Sequence, residues 1–224
     1  DVPEPRFLPV DLGAARNVPL RGEWPRSFAM SGDQPTWAPG PQRLLGIDWR
    51  IDGGVQLSSG GAAVALHPTQ RESAPVRLPG VDAVRVHVLT LMHVPMAEDQ
   101  PTHVAAKVVL TDVAGRESVL PIRTRDHVVT HAFPQLGAAS ARIGFMGVGT
   151  AAVRQGDYTT SQTVSTVHAV ALDVPPRLGP LRSLRFAVGD GDMDAPLFYA
   201  ATLELAGAPA GPATTAPATA SDGE

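Results

Sequence analysis

The chain has no cysteine, one lysine and few aromatic residues. Without cysteine, neither a disulfide framework nor a thiolate metal site can form, which fits both the cytoplasm and a bacterial periplasm. The lysine is Lys107, so arginine carries nearly all the positive charge. GC-rich coding explains that bias, and a surface selected for planar guanidinium contacts is the alternative. Charged residues make up 18%, below the usual quarter, and the net charge is −4. With a pI near 6.0, nothing points to a nucleic-acid partner. No apolar run reaches the roughly 18 residues of a membrane span, so no membrane insertion is expected.

Motifs are also missing. There is no Gly-x-Ser-x-Gly elbow, His-Glu-x-x-His, phosphate loop or dinucleotide fingerprint. Gly144–Gly149, GFMGVG, has the glycines of a phosphate loop but neither its lysine nor its following helix, and reads as a β-turn or strand bend. These absences leave the question of an enzyme open, because glycosidase and lyase sites seldom show in one sequence.

What is present is β-structure, most regular from Val81 to Thr124. In VDAVRVHVLTLMHV, Val84, Val86, Val88, Thr90 and Met92 share one face, and Arg85, His87, Leu89, Leu91 and His93 the other. One face is apolar throughout and the second only in its middle. That predicts a sheet buried on one side and partly covered on the other. HVAAKVVLTDV repeats the pattern, with Val104, Ala106, Val108 and Leu110 opposite Ala105, Lys107, Val109 and Thr111. The turn Val113-Ala-Gly-Arg116 then leads into ESVLPIRT.

Elsewhere the strands are shorter. Phe7–Leu12 fits an edge strand, since its proline is best tolerated there. Leu44–Ile51 reads as one strand, followed by segments at Val55–Ser58 and Ala62–Leu66 behind paired glycines. Asp126–Phe133, Arg142–Met146, Val164–Val174, Leu184–Val188 and Leu197–Leu205 follow, with a glycine-rich loop at Gly147–Gly156. A turn of helix is plausible only at Asn17–Phe28 and Arg177–Ser183. The expectation is an all-β, two-sheet antiparallel sandwich forming one domain over residues 1–205, with 13–43 a long ordered loop region. Residues 206–224, rich in alanine, proline and threonine, cannot offset the entropy of ordering and read as a flexible tail or linker to further domains. The start at Asp1 rather than methionine suggests that a signal peptide, tag or preceding domain has been removed, with export from a high-GC bacterium the favoured setting.

The succession PVDL at Pro9–Leu12, LLGIDWRI at Leu44–Ile51, GVQL at Gly54–Leu57, VRVHVLTLMH at Val84–His93, DVAGRE at Asp112–Glu117 and LPI at Leu120–Ile122 resembles the galactose-binding-domain-like jelly rolls of secreted bacterial proteins. STVHAVALDVPP at Ser165–Pro176 and FYAATLEL at Phe198–Leu205 complete the pattern. It is a match of pattern, without an invariant motif. The resemblance implies a jelly roll that binds carbohydrate or another cell-surface ligand through loops at one edge, sometimes with a structural calcium ion.

Several residues are candidates for chemistry. Asp190, Asp192 and Asp194 alternate in a glycine-containing loop and can converge as hard oxygen ligands for calcium; a solvated connector is the other reading. The twelfth position counted from Asp190 is Ala201, so this is not an EF-hand. His127 and His131 lie too far apart along a strand to share an ion, while His93 and His103 flank the Pro95–Thr102 loop and face each other if the flanking strands form a hairpin. Trp24 and Trp37, with Arg26 and Asp33 beside them and Tyr158 in another loop, can form a stacking platform for sugar rings. The tryptophans can equally pin the long loop to the sandwich.

The expected function is a non-catalytic, secreted or periplasmic module that binds carbohydrate or a surface polymer. The alternatives are a periplasmic sensory or protein-interaction domain of a larger envelope protein and a polysaccharide-active enzyme. Any site is expected in the loops around residues 20–40, 95–102, 147–160 and 189–196.

Overall fold

The computed structural model describes residues 5–18, 39–60, 70–93, 101–128, 142–151, 161–192 and 194–207; at 93, 142–151 and 161–166 it describes the backbone alone. Among the described residues there are twelve strands: β1 Arg6–Val10, β2 Gly40–Leu44, β3 Ile47–Ile51, β4 Val55–Gln56, β5 Val76–Val81, β6 Ala83–His93, β7 Val104–Asp112, β8 Glu117–Arg123, β9 Arg142–Ala151, β10 Ser161–Asp173, β11 Leu181–Val188 and β12 Ala195–Leu205. A 3-10 turn at Gly13–Ala15 is the one helical element among the described residues.

The strands form an antiparallel β-sandwich. The larger sheet has the order β1-β12-β6-β10-β9, with β4 also pairing β12; the smaller runs β5-β11-β7-β8. Val86, Val88 and Met92 of β6, Val170 and Leu172 of β10 and Leu203 of β12 meet Ala106, Val108, Leu110, Leu120, Ile122 and Leu184 from the smaller sheet. Alternation delivers these residues to the common interior, and each fully buried large side chain contributes about 1.5–3 kcal/mol by leaving water.

The second face of the larger sheet is partly covered by a third, two-stranded sheet, the β2–β3 hairpin. Trp49 and Ile51 from the hairpin pack there with Leu89, Leu91, Val167, Ala169, Leu197 and Tyr199. The apolar middle of the β6 outer face is the part buried in this second cluster, whereas Arg85 lies outside it.

The segment expected as one strand at Leu44–Ile51 is in fact the reversal of that hairpin. Leu45 and Gly46 both take positive φ (57° and 78°), the pattern of a two-residue I′ turn. GFMGVG is not a bend either: it lies within β9, whose ladder with β10 runs on to Ala151 opposite Ser161. At 126–133, turn backbone at 125–127 and an isolated bridge at Val128 replace the start of the expected strand, and 129–133 lie outside the described residues. Arg177–Ser183 is a turn leading into β11. The Asp112–Arg116 turn forms as expected, with Gly115 at φ 86°.

A bulge in β12 sets the geometry of the outer face. Phe198 pairs with Thr90 and Ala200 with Leu89, leaving Tyr199 as the extra residue. Tyr199 and Ala200 both join the outer cluster, whereas Phe198, Ala201 and Leu203 join the interior. Strict alternation from Phe198 would have put Ala201 and Leu203 on the outer face.

Candidate functional site

The two ends of the sandwich are built differently. At one end the connections are tight: Asp82 alone separates β5 from β6, 113–116 joins β7 to β8, and 174–180 joins β10 to β11. Asp112 organises this end. Its buried carboxylate accepts hydrogen bonds from Arg116 N (2.9 Å), Arg116 Nε (2.7 Å) and Gly179 N (3.1 Å), tying two turns together. Burial works to raise its pKa, and these donors overcome it, holding the carboxyl at about 2.

The connections 57–75, 94–103, 124–141, 152–160 and 189–194 all leave from the opposite end. The register requires this: His93 pairs with Ala195, Val188 with Ala106, Val104 with Arg123 and Ala151 with Ser161. The described strand ends that flank three of the four regions expected to carry a site, 95–102, 147–160 and 189–196, are therefore at one end, while 94–100 and 152–160 lie outside the described residues.

Asp194 braces this end. Its side chain is 2% exposed and lies against His103, with Nε2 at 3.1 and 3.0 Å from the two carboxylate oxygens. Its carbonyl accepts Ser59 N at 2.9 Å. His103 N donates to Thr124 Oγ1 (3.0 Å), and Thr124 N donates to His103 O (3.0 Å). One aspartate thus joins the β11–β12 connection to the starts of the 57–75 connection and of β7. Burial pushes the Asp194 carboxyl upward in pKa, against the bonds from His103 and Gly191. Beside it, Lys107 Nζ bonds Asp190 at 2.6 Å. Gly189 N donates to Ala105 O (2.9 Å) and Asp190 N to Val104 O (2.7 Å). A side chain at Gly189 would collide with the Val104 carbonyl, so only glycine permits this approach.

These contacts place the three aspartates expected as calcium ligands in different settings. Asp190 is engaged by Lys107, Asp192 is exposed and Asp194 is turned inward to His103. Among the described residues no three His, Cys, Asp or Glu side chains group as metal ligands. The expected facing of His93 and His103 across a hairpin is also replaced. β6 belongs to the larger sheet and β7 to the smaller, and His103 finds Asp194 instead. Trp24, Arg26, Asp33, Trp37, Tyr158 and His131 lie outside the described residues. The His103–Asp194 pairing has no sequence signal, because the partners are 91 positions apart and meet only through strand order.

Chemically, His103 is a brace. One ring nitrogen faces the Asp194 carboxylate, the other lies 3.5 Å from Thr124 Oγ1, and the side chain is 27% exposed. With both nitrogens turned to protein groups, the ring ties the β11–β12 connection to the start of β7 and to Thr124.

No family model matches the sequence, and a search of the curated proteins finds no match.

Proposed function

We propose that this chain is a non-catalytic, exported module that binds carbohydrate or a cell-surface polymer. The observation that supports the reading is where the described strands are joined: the links at Asp82, 113–116 and 174–180 close one end, and the longer links 57–75, 94–103, 152–160 and 189–194 start from the other. A rigid sandwich presenting several loops at one end is suited to recognition, because the scaffold carries stability and the loops carry specificity. The resemblance to galactose-binding-like jelly rolls points the same way.

The test is binding to immobilised polysaccharides of uronic-acid, galactose and cellulose type, followed by Trp24→Ala and Trp37→Ala. Retention of at least one polymer, lost in the tryptophan variants, is the expected result. Silence across the panel sinks the reading and turns attention to a sensory or protein-interaction role in a larger envelope protein. Turnover of a polysaccharide, abolished by Asp194→Asn or His103→Gln in a folded protein, would instead establish an enzyme.

A further inference from the structure

The turn that ends β8 is fastened by a histidine acting as a hydrogen-bond acceptor. His127 Nδ1 accepts the backbone N–H of Arg123 at 3.0 Å. Arg123 O in turn accepts His127 N at 3.0 Å and Val128 N at 3.2 Å, and Arg125 N donates to Val128 O at 2.7 Å. The last residue of β8, at the edge of the smaller sheet, thus spends both its backbone polar groups on this turn. The same bonds hold Arg125 in the left-handed region at φ 65°, which is unfavourable for a residue bearing a side chain. Val128 anchors one side of the turn in the interior cluster. Thr124 anchors the other through its bonds with His103, whose ring lies against Asp194.

We propose that the Arg123–Val128 turn is a proton-operated latch, closed while His127 Nδ1 is bare and opened when that nitrogen takes a proton from solvent. A neutral imidazole accepts a hydrogen bond at one nitrogen only, and an imidazolium at neither. The bond from Arg123 therefore fixes the tautomer, with the proton on Nε2, which faces Asp126 Oδ2 at 3.5 Å. A proton on Nδ1 sets two N–H donors against each other and removes a bond that offsets the strain at Arg125. The His127 side chain is 16% exposed, so solvent protons reach it. Among the described residues, burial and Arg123 disfavour the charged ring and Asp126 favours it, and the balance keeps the ring neutral to a pH below the ordinary histidine value. Arg125 shares the turn, and the titratable group that meets the turn from the start of β7 is His103, with Asp194 behind it. That contact differs in kind: His103 Nε2 faces a carboxylate, which binds a protonated ring at least as well as a neutral one. Acid thus frees the stretch 124–127 and leaves the β11–β12 connection tied to the start of β7.

The experiment is nuclear magnetic resonance of the full chain, labelled with nitrogen-15, from about pH 7 to about pH 5. At neutral pH the His127 ring should show Nδ1 bare and Nε2 protonated. As His127 titrates, exchange of the Arg123 and Arg125 amides, corrected for its intrinsic pH dependence, should rise about tenfold along the same curve. The amides of Leu120 and Ile122 in β8, and of Ser59, which bonds Asp194 O, should keep their protection. His127→Phe should show the faster exchange already at neutral pH. His127→Gln, whose amide oxygen accepts at every pH, should show no step. A proton on Nδ1 at neutral pH overturns the latch, as does unchanged exchange at Arg123 through the His127 titration. The parent chain alone decides both outcomes, so the test holds even if His127→Phe weakens the fold. Protection lost at Leu120 and Ile122 together with Arg123 overturns the latch too, because global unfolding then accounts for the change. So does a step that persists in His127→Gln, which assigns it to another group.

Discussion

Phe186 and Phe198 stack across the sandwich, with ring centroids 4.1 Å apart and planes inclined by 14°. One comes from β11 of the smaller sheet and the other from β12 of the larger, and both are fully buried. The pair is a direct tie between the layers. Phe198→Ala should therefore cost about 3–5 kcal/mol, the range for an aromatic side chain removed from a core. Denaturant unfolding measures it, and a double mutant with Phe186→Ala should cost less than the two single changes combined.

Trp49 is the other large anchor, buried beneath the hairpin on the outer face, with Nε1 donating to Leu44 O at 3.1 Å. Trp49→Ala should cost about 3–5 kcal/mol and uncover Leu89, Leu91 and Tyr199. A hydrophobic dye that binds the variant and not the parent would register the exposed patch. Trp49→Phe keeps most of the packing but leaves the Leu44 carbonyl without this donor, so its smaller loss separates the bond from the burial.

His168 gives the fold a pH dependence. It is buried, its Nδ1 has no hydrogen-bond partner among the described residues, and burial pushes its pKa down to about 4. The unfolded chain binds the proton near 6.5, so stability is full above that value and falls as the pH drops towards 4. The loss should be on the order of 3 kcal/mol. His127, also lowered by burial, acts in the same direction. Asp194, raised by burial, acts in the opposite one: its contribution is full below the unfolded carboxylate value and lost as the pH rises through the folded one. Unfolding curves between pH 7 and 4 should flatten in His168→Leu; an unchanged slope would show that His168 is not the source.

Asp112 governs stability at lower pH. Its carboxyl is held at about 2, below the unfolded 3.8, so its contribution is complete above 3.8 and is lost as the pH falls through 2. Asp112→Asn should lower the melting temperature at pH 7 and weaken its dependence on pH between 4 and 2. The deficit should narrow as the parent's own carboxylate protonates.

Much of the fold was legible in local patterning. Val86, Val88 and Met92 of β6 and Ala106, Val108 and Leu110 of β7 follow from alternation, whereas Val84 on the same face of β6 is exposed and Ala105 joins the interior beside a register shift in β7. The loop end was legible in part, since glycine, proline and polar stretches mark connections. The candidate site was less so. His103 and Asp194 could each be singled out as polar residues near strand ends, but spacing suggested His93 and the neighbouring aspartates as their partners. Which partner won was decided by β6 and β7 entering different sheets.

By itself, the sequence determined the all-β class, the apolar faces of the central strands, the Asp112–Arg116 reversal and the exclusion of disulfide and thiolate chemistry. Each follows from residue type or from the twofold period of a strand, both of which are local. Only the tertiary structure decided the split of Leu44–Ile51 into a covering hairpin, the bulge at Tyr199 and the pairing of His103 with Asp194. Those outcomes depend on which strands become neighbours, and the competition is settled by long-range burial. A positive-φ turn at Leu45 and a break in the β12 ladder are tolerated because they place Trp49 and Leu203 in contact with apolar partners.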